Sequence, residues 1–149
     1  MDSSNSRAKT ARKKAPSPRR DGREAALQFL YGNDIQGILD GSPEAIAAFW
    51  KLRDAKPAVR EFATELIAGV MEHLSQIDSA IRNQLENFSF QRLTAVDRNI
   101  LRLGAFEILH ANYIPPQAAI NEAIEIAKRF GSDDSARFVN GILDKILKR

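Results

Sequence analysis

The sequence predicts an all-α protein of about seven helices. Apolar residues recur at helical spacing in several segments, and prolines stand where three of these segments begin. No segment shows the alternating pattern and tight-turn residues of a β-hairpin. With 149 residues, 44% of them hydrophobic and 28% charged, the chain is long enough for one domain with its own core.

The first two helices are predicted from their end signals. Asp21 can cap a first helix that gives way near Gly32 and Asn33. Ser42 followed by Pro43 is a capping residue with a proline in the first helical turn, so a second helix begins there. That helix must end before the next proline, which stands at position 57.

The next segment has the most regular amphipathic pattern of the chain. Apolar residues line one face for more than four turns, namely Val59, Phe62, Ala63, Leu66, Ile67, Val70 and Leu74. Gly69 lies inside this helix, and since glycine there costs about 1 kcal/mol relative to alanine, we expect another helix to approach closely. A fourth helix follows from Ser75 or Asp78, and a loop that contains Phe88 and Phe90 comes after it.

A fifth helix is expected to be the central and most buried one. Thr94 and Asp97 form a weak capping pattern ahead of it, and apolar residues lie on most of its sides. Its charged residues are Asp97, Arg98, Arg102 and Glu107. We expect these four side chains on the remaining exposed strip of the helix.

Residues 120–145 predict two antiparallel helices joined by an acidic elbow. Gly131 is expected to end the first helix in the left-handed conformation. Ser132, Asp133 and Asp134 offer side-chain oxygens to the free amides of the second helix. Capping explains the two aspartates better than metal binding does, because a divalent ion requires more ligands.

Aromatic and basic residues flank this elbow. Phe130 precedes it and Phe138 follows it, with Lys128, Arg129 and Arg137 beside the two rings. Aromatic side chains are mostly buried, so core packing is one interpretation of both rings. The other interpretation is that at least one ring faces a binding partner.

Basic residues are concentrated at the N-terminus. Residues 1–23 contain eight Lys or Arg and two Asp, a net charge of +6, whereas the remaining residues carry −3. Residues 1–20 contain no aromatic residue and, after Met1, no aliphatic residue larger than alanine, so we expect a disordered arm ahead of a folded domain at 21–149. Clustered cations gain affinity for phosphates by releasing counterions, which favours a nucleic-acid partner. A merely solubilising tail is the alternative.

The pattern of titratable residues disfavours catalysis. His73 and His110 stand in no spacing that would bring an imidazole and a carboxylate together on a metal, and Glu122 and Glu125 are typical of a solvated helix face. The chain has no nucleophile motif and no glycine-rich phosphate loop. We therefore expect neither an enzyme nor a cofactor or metal.

The sequence also favours a cytoplasmic location. It contains no cysteine, which excludes disulfides and thiolate metal sites and fits a reducing compartment. No apolar run approaches the roughly 20 residues of a membrane helix, and the first residues are polar rather than the core of a signal peptide. We expect no membrane partner.

Three segments resemble the NusB family of bacterial transcription antitermination factors. They are REAALQFLY, AVDRNILRLGAFEIL and IPPQAAINEAIEIAKRFGSDDSARFVNGILDK. The resemblance extends over residues 23–145 and implies two small helical bundles. It also implies a protein that binds the boxA element of nascent ribosomal RNA jointly with NusE, a small-subunit ribosomal protein, and through them acts on the RNA polymerase elongation complex.

Candidate site residues follow from the resemblance together with the basic residues beside its motifs. Those expected to bind RNA are Arg19, Arg20, Arg23, Tyr31, Arg102, Phe130, Asp134, Arg137 and Phe138. Those expected to face NusE are Tyr31, Asp97 and Arg98. Asp134 is a special case, because a carboxylate beside RNA repels phosphate and limits affinity.

Two alternatives to an RNA-binding adaptor are considered. A NusB-like module also begins some ribosomal RNA cytosine methyltransferases, but we expect no cofactor-binding sheet in 149 residues. The chain could instead act mainly as a protein–protein module, as a homodimer that hides its RNA surface. The oligomeric state in the presence of RNA distinguishes this second alternative from the adaptor.

Overall fold

The computed structural model describes residues 17–86 and 89–149, where all the regular secondary structure is helical. The elements are α1 Pro18–Gln36, α2 Pro43–Lys51, α3 Pro57–Glu72, α4 Leu74–Arg82, a 3-10 helix Phe90–Arg92, α5 Ala95–Leu109, α6 Pro116–Phe130 and α7 Ser135–Leu147. The predicted all-α class with about seven helices is confirmed. The predictions for arm residues 1–16 and for the loop residue Phe88 lie outside the described residues.

The first helix begins earlier and ends later than predicted. The Ser17 hydroxyl caps α1 by accepting a hydrogen bond from the Arg20 amide at 3.0 Å, and Pro18 follows in the first turn. Gly37 ends the helix with φ 73°, a left-handed conformation that glycine adopts without strain. Residues 18–20 are therefore part of α1, and Asp21 lies in the first turn rather than at the cap.

The other predicted helix starts are present. Ser42 accepts a hydrogen bond from the Ala45 amide at 3.1 Å at the start of α2, and Thr94 accepts one from the Asp97 amide at 3.1 Å at the start of α5. These side chains satisfy backbone donors that have no partner inside the helix.

The helices form two small bundles that share α5. α1 packs along α3, and α2 joins them through the edge-to-face contact of Phe29 with Phe49, whose ring centroids are 5.4 Å apart. α4, α6 and α7 surround α5, which also contacts α1 and α3. The prediction that α5 is the central helix is confirmed.

The close approach predicted at Gly69 is also present. A Cβ atom at this position would overlap the ring of Phe106 from α5. At Gly104 on α5, a Cβ would lie 2.6 Å from Leu143 Cδ1. Both glycines thus let α5 contact its neighbours closely. No helix within residues 17–86 and 89–149 is long and apolar enough to cross a membrane.

Candidate nucleic-acid interface

Two of the predicted arginines lie on the surface in the first turn of α1. Arg19 is exposed, and Arg20 is half-buried. The Nε and Nη2 atoms of Arg20 donate to the two carboxylate oxygens of Glu122 on α6 at 3.2 and 3.0 Å. This hydrogen-bonded pair raises the pKa of Arg20 in spite of partial burial. Glu122 therefore ties α6 to α1, whereas the sequence predicted a simply solvated carboxylate.

A second ion pair joins the same two helices farther along. Arg129 near the end of α6 donates to Glu24 of α1 at 3.1 Å, and its guanidinium lies 5.2 Å from the centroid of the Phe130 ring. Tyr31 is 40% exposed. Helical spacing places it on the same face of α1 as Glu24. We call the surface formed by Arg19, Arg20, Glu24, Glu122, Arg129 and Phe130 the α1–α6 strip.

Arg23 lies in the interior, although it follows Arg20 by only three residues. Its side chain is 4% exposed, and its Nε and Nη2 atoms donate to Glu107 at 2.8 Å each. Burial lowers the pKa of this guanidinium, but the hydrogen bonds and charge of Glu107 outweigh burial and leave the pKa raised. The predicted contact of Arg23 with RNA stays a prediction, and the burial of this guanidinium argues against it, since a buried and neutralised group offers little surface to a phosphate.

Arg102 is buried in the same way. Its Nε and Nη2 atoms donate to Asp78 at 2.8 and 3.0 Å, and its Nη1 atom donates to Asn99 at 3.0 Å. Since Arg102 and Glu107 are 5% and 2% exposed, the predicted exposed strip on α5 is wrong. Neighbouring helices enclose α5, so its charged side chains are neutralised in pairs. Direct RNA binding by Arg102 stays a prediction, and the burial of its side chain argues against it.

The elbow between α6 and α7 is closed by a serine rather than by the aspartates. Gly131 has φ −92° and ψ −171°, an extended conformation, so the predicted left-handed end is wrong. Ser135 Oγ accepts a hydrogen bond from the Ser132 amide at 2.9 Å and donates to Asp97 at 2.7 Å. Asp134 makes no side-chain cap hydrogen bond. Glycine is required at 131 because a Cβ would overlap the Ser135 side chain.

The two rings beside the elbow are both half-buried. Phe130 and Phe138 pack against the hydrophobic core, so each ring is anchored from one side. Arg137 is exposed and lies with Phe138 in a groove beside residues 84–86. Asp134 is exposed and forms no ion pair within the described part of the chain. Phe130 therefore adjoins the α1–α6 strip, whereas Phe138 and Arg137 line the neighbouring groove on α7.

Arg98, one of the residues expected to face NusE, is engaged within the protein. It donates to both carboxylate oxygens of Asp34 on α1 at 2.8 and 3.0 Å and to the carbonyl of Leu93 at 2.9 Å. Burial raises the pKa of Asp34, but the hydrogen bonds from Arg98 and Asn99 outweigh it and lower the pKa. Arg98 therefore positions the C-terminal part of α1 against α5.

The other two residues expected to face NusE differ in exposure. Asp97 is half-buried and accepts the hydrogen bond from Ser135, so it links α5 to the elbow. Tyr31 is exposed, and three exposed apolar side chains follow it: Ile35 at 62%, Ile38 at 57% and Leu39 at 51%. This end of α1 offers an apolar surface of the kind that marks contacts with another protein.

The titratable groups give no arrangement for metal chemistry in the part of the chain that is described. No group of three or more His, Asp or Glu side chains there could hold an ion. His73 and His110 stack on each other, with centroids 3.8 Å and planes 11° apart. Burial, and then the charge of His73, lower the pKa of His110. The geometry instead suits binding of a polyanion, with cations and rings on one strip.

The sequence did not indicate that Glu122 pairs with Arg20. It also did not indicate that Arg19 lies over the rings of Phe62 and Tyr113. The Arg20–Glu122 contact joins residues 102 positions apart, and no local pattern indicates such a pair. A usable signal did exist for Arg23. With Ala26 and Leu30 it forms an i, i+3, i+7 row, which places it on the buried face of α1.

The sequence and structure match known proteins over nearly the whole described chain. The NusB family model matches residues 20–148. Transcription antitermination protein NusB of Sorangium cellulosum is 43% identical over 128 residues, which are 86% of this chain and 90% of that protein. T. maritima NusB has the same fold with a TM-score of 0.78 and 39% identity, over 89% of this chain and 92% of that one.

A crystal structure of the antitermination factors NusB and NusE in complex with dsRNA also contains a similar chain. Its TM-score is 0.75 and its identity 29%, over 88% of this chain and 96% of that one. The family model and the relatives agree in sequence, and the solved structures share the fold described above. The chain therefore belongs to the NusB family.

Proposed function

We propose that this chain is a transcription antitermination factor that binds boxA-type RNA of nascent ribosomal transcripts together with NusE. Relatives at 43% identity are transcription antitermination proteins, and a similar chain forms a complex with NusE and RNA. The proposed role is that of a binding adaptor without catalysis. Since its ligand is a nascent transcript, we place its action in the cytoplasm, beside RNA polymerase.

The observation that carries this proposal is the α1–α6 strip. Arg19, Arg20 and Arg129 place three guanidinium groups on two adjoining helices, and Phe130 adds a ring at one end. Guanidinium groups bind phosphate with paired hydrogen bonds, and rings stack on unpaired bases. Single-stranded RNA can make both the phosphate contacts and the stacking contacts, because its bases are unpaired.

NusE is proposed to bind at the exposed end of α1. Tyr31, Ile35, Ile38 and Leu39 present apolar surface there, and Asp97 lies at the start of the neighbouring α5. The Ser135–Asp97 hydrogen bond connects this region to the elbow. We therefore propose that the protein and RNA partners occupy adjoining surfaces.

The test is a titration of boxA RNA against the full chain, with and without purified NusE. Single-stranded boxA RNA and a duplex of the same sequence are compared, because the related complex holds double-stranded RNA. We expect tighter binding of the single strand, and a further gain when NusE is added. No binding of either RNA, with or without NusE, would contradict the proposal.

The basic arm is proposed to strengthen RNA binding through charge alone. Residues 1–16 contain five cations, Arg7, Lys9, Arg12, Lys13 and Lys14, and they directly precede Ser17, the cap of α1. Each phosphate contact contributes about 0.7 to the slope of log affinity against log salt for single strands. Deleting residues 1–16 should therefore reduce this slope by up to about 3.5. An unchanged slope would remove the arm from the binding mechanism.

A second candidate function is a protein–protein module that forms homodimers. The exposed apolar side chains at the end of α1 favour it, because such a surface also suits a second copy of the chain. Light scattering with and without RNA separates the two functions. A dimer that persists at saturating RNA would show that dimerisation does not cover the RNA-binding surface. A dimer that prevents RNA binding would favour the second candidate.

A further inference from the structure

Arg19 lies over two aromatic rings at the N-terminal end of α1. Its guanidinium carbon is 5.2 Å from the centroid of the Tyr113 ring and 5.7 Å from that of Phe62. The two rings meet edge to face, with centroids 5.6 Å apart. They come from α3 and from the connection between α5 and α6, so three separate parts of the chain build this cluster.

The rings beneath Arg19 are held by the protein interior. Tyr113 donates its hydroxyl to Glu107 at 2.7 Å, and the same carboxylate pairs with Arg23. Gly22 allows Phe62 to lie against α1, since a Cβ at position 22 would be 2.7 Å from Phe62 Cδ2. The position of the two rings is therefore fixed before any ligand binds, which lowers the entropy lost on binding.

Arg19 differs from its neighbour Arg20 in its electrostatic partner. Arg20 is neutralised by Glu122, whereas Arg19 forms no ion pair within residues 17–86 and 89–149 and is exposed. The guanidinium of Arg19 thus keeps its full charge and a solvent-facing side. Unpaired bases stack on guanidinium planes as well as on rings.

The cluster stands at one end of the α1–α6 strip, and Phe130 stands at the other. Arg20 connects Arg19 to Glu122, and Phe130 follows Glu122 by eight residues of α6. At 1.5 Å per residue this separation is about 12 Å along the helix. A single-stranded ligand that contacts Phe130 and continues along the strip would therefore reach Arg19.

We propose that Arg19, Phe62 and Tyr113 form a subsite for one unpaired nucleotide of the bound RNA. The base stacks on the guanidinium plane of Arg19, and the two rings hold that plane in position. Arg19 contacts the nucleotide, while Phe62 and Tyr113 are positioning residues. This subsite rests on the proposed RNA-binding function and adds a second stacking contact, distant from the elbow.

The test uses single-stranded boxA RNA with 2-aminopurine placed at successive positions, since stacking quenches the fluorescence of this base. We expect quenching at one position that is lost in Arg19→Gln and in Tyr113→Leu, with at least about a five-fold loss of affinity. Tyr113→Phe keeps the ring and should retain the quenching. Arg19→Lys keeps the charge but not the plane, so it should retain the salt dependence and lose the quenching.

Several outcomes would overturn the subsite. If the wild-type chain binds this RNA while Arg19→Gln and Tyr113→Leu retain its affinity and quenching, the subsite is absent and the proposed function stands. Retained quenching in Arg19→Lys would show that the guanidinium plane is not what matters, and lost quenching in Tyr113→Phe would show that the ring alone does not position it. Urea unfolding of each variant separates lost contacts from lost folding. Failure of the wild-type chain to bind any RNA would count against the proposed function itself.

Discussion

Arginines of similar sequence context occupy two different environments in this protein. Arg23 and Arg102 are buried, and each donates two hydrogen bonds to one carboxylate. Arg19, Arg20 and Arg129 lie on the α1–α6 strip, where their guanidinium groups are exposed or half-buried. The difference teaches that an arginine-rich segment can contain both buried structural residues and surface residues that are accessible to a ligand. Burial separates the two kinds, because Arg20 and Arg129 also pair with carboxylates but keep a solvent-exposed side.

The largest effect is expected from Glu107→Gln, which removes the carboxylate that the buried Arg23 hydrogen-bonds and leaves only Glu122, at 3.7 Å, as a counter-charge. Removing one partner of a buried ion pair destabilises a fold by about 3–5 kcal/mol, so the free energy of unfolding should fall by roughly 3 kcal/mol. Urea unfolding measures this change. The matched control is Glu24→Gln, which breaks the partly exposed pair with Arg129 and should cost about 1 kcal/mol or less. Equal losses in both variants would contradict the division into two environments.

An intermediate loss of stability is expected when the Ser135 hydroxyl is removed, because this group is buried but uncharged. Ser135→Ala removes the hydrogen bonds to the Ser132 amide and to Asp97, and we expect a loss of about 1–2 kcal/mol in urea unfolding. Asp133→Ala is the control, since that side chain is exposed in the same elbow, and it should lose less than about 0.5 kcal/mol. If the two variants are equally stable, Ser135 does not hold the elbow to α5.

A smaller, pH-dependent effect is expected at His110. The lowered pKa means that the folded protein takes up this proton less readily than the unfolded chain, whose histidine keeps its ordinary value of 6.5. The contribution to stability is therefore fully present above pH 6.5 and is lost as the pH falls from that value through the lower pKa of the folded protein. His110→Phe, which retains an aromatic ring, should show a weaker loss of stability between pH 7 and pH 5.

The measurement is urea unfolding at several pH values within that window. Leu109→Ala, a change at the neighbouring exposed position, serves as a control that should keep the pH dependence of the wild-type chain. An unchanged pH dependence in His110→Phe would show that the stacked imidazole does not contribute to it.

The smallest effect is expected at Asp134. This carboxylate is exposed beside the elbow, so its repulsion of phosphate is screened by water and salt. Asp134→Asn should raise RNA affinity by roughly two- to five-fold at low salt, which corresponds to about 1 kcal/mol or less. Fluorescence titration at two salt concentrations measures the gain. No gain at low salt would contradict a repulsive role for this residue.

The sequence was sufficient for the elements whose signals are local. Ser42 with Pro43, and Thr94, mark helix starts that the structure contains. Gly69 indicated a close helix approach that Phe106 makes. Local signals failed where the same residue type can be required for two different reasons. Gly131 is a glycine because of the Ser135 side chain rather than because of its backbone angles.

The site was harder to predict because its chemistry depends on contacts between distant residues. The partner of Arg23 lies 84 positions away, and that of Arg20 lies 102 positions away. Helical spacing still carried some information. Glu107 continues the buried row of Ile100 and Leu103, so its burial could be read from the sequence. Whether a buried charge has a partner, however, depends on the packing of the helices.

The most direct test of the central claim is the salt dependence of RNA binding by the double variant Arg20→Gln/Arg129→Gln. Arg20 and Arg129 are each paired with a carboxylate, so if the α1–α6 strip contacts phosphates, the slope of log affinity against log salt should decrease by up to about 1.4 for single-stranded RNA. Stability should change by no more than about 1 kcal/mol, since both ion pairs are partly exposed. A slope equal to that of the wild-type chain, in a folded double variant, would contradict the assignment of this strip as the RNA-binding surface.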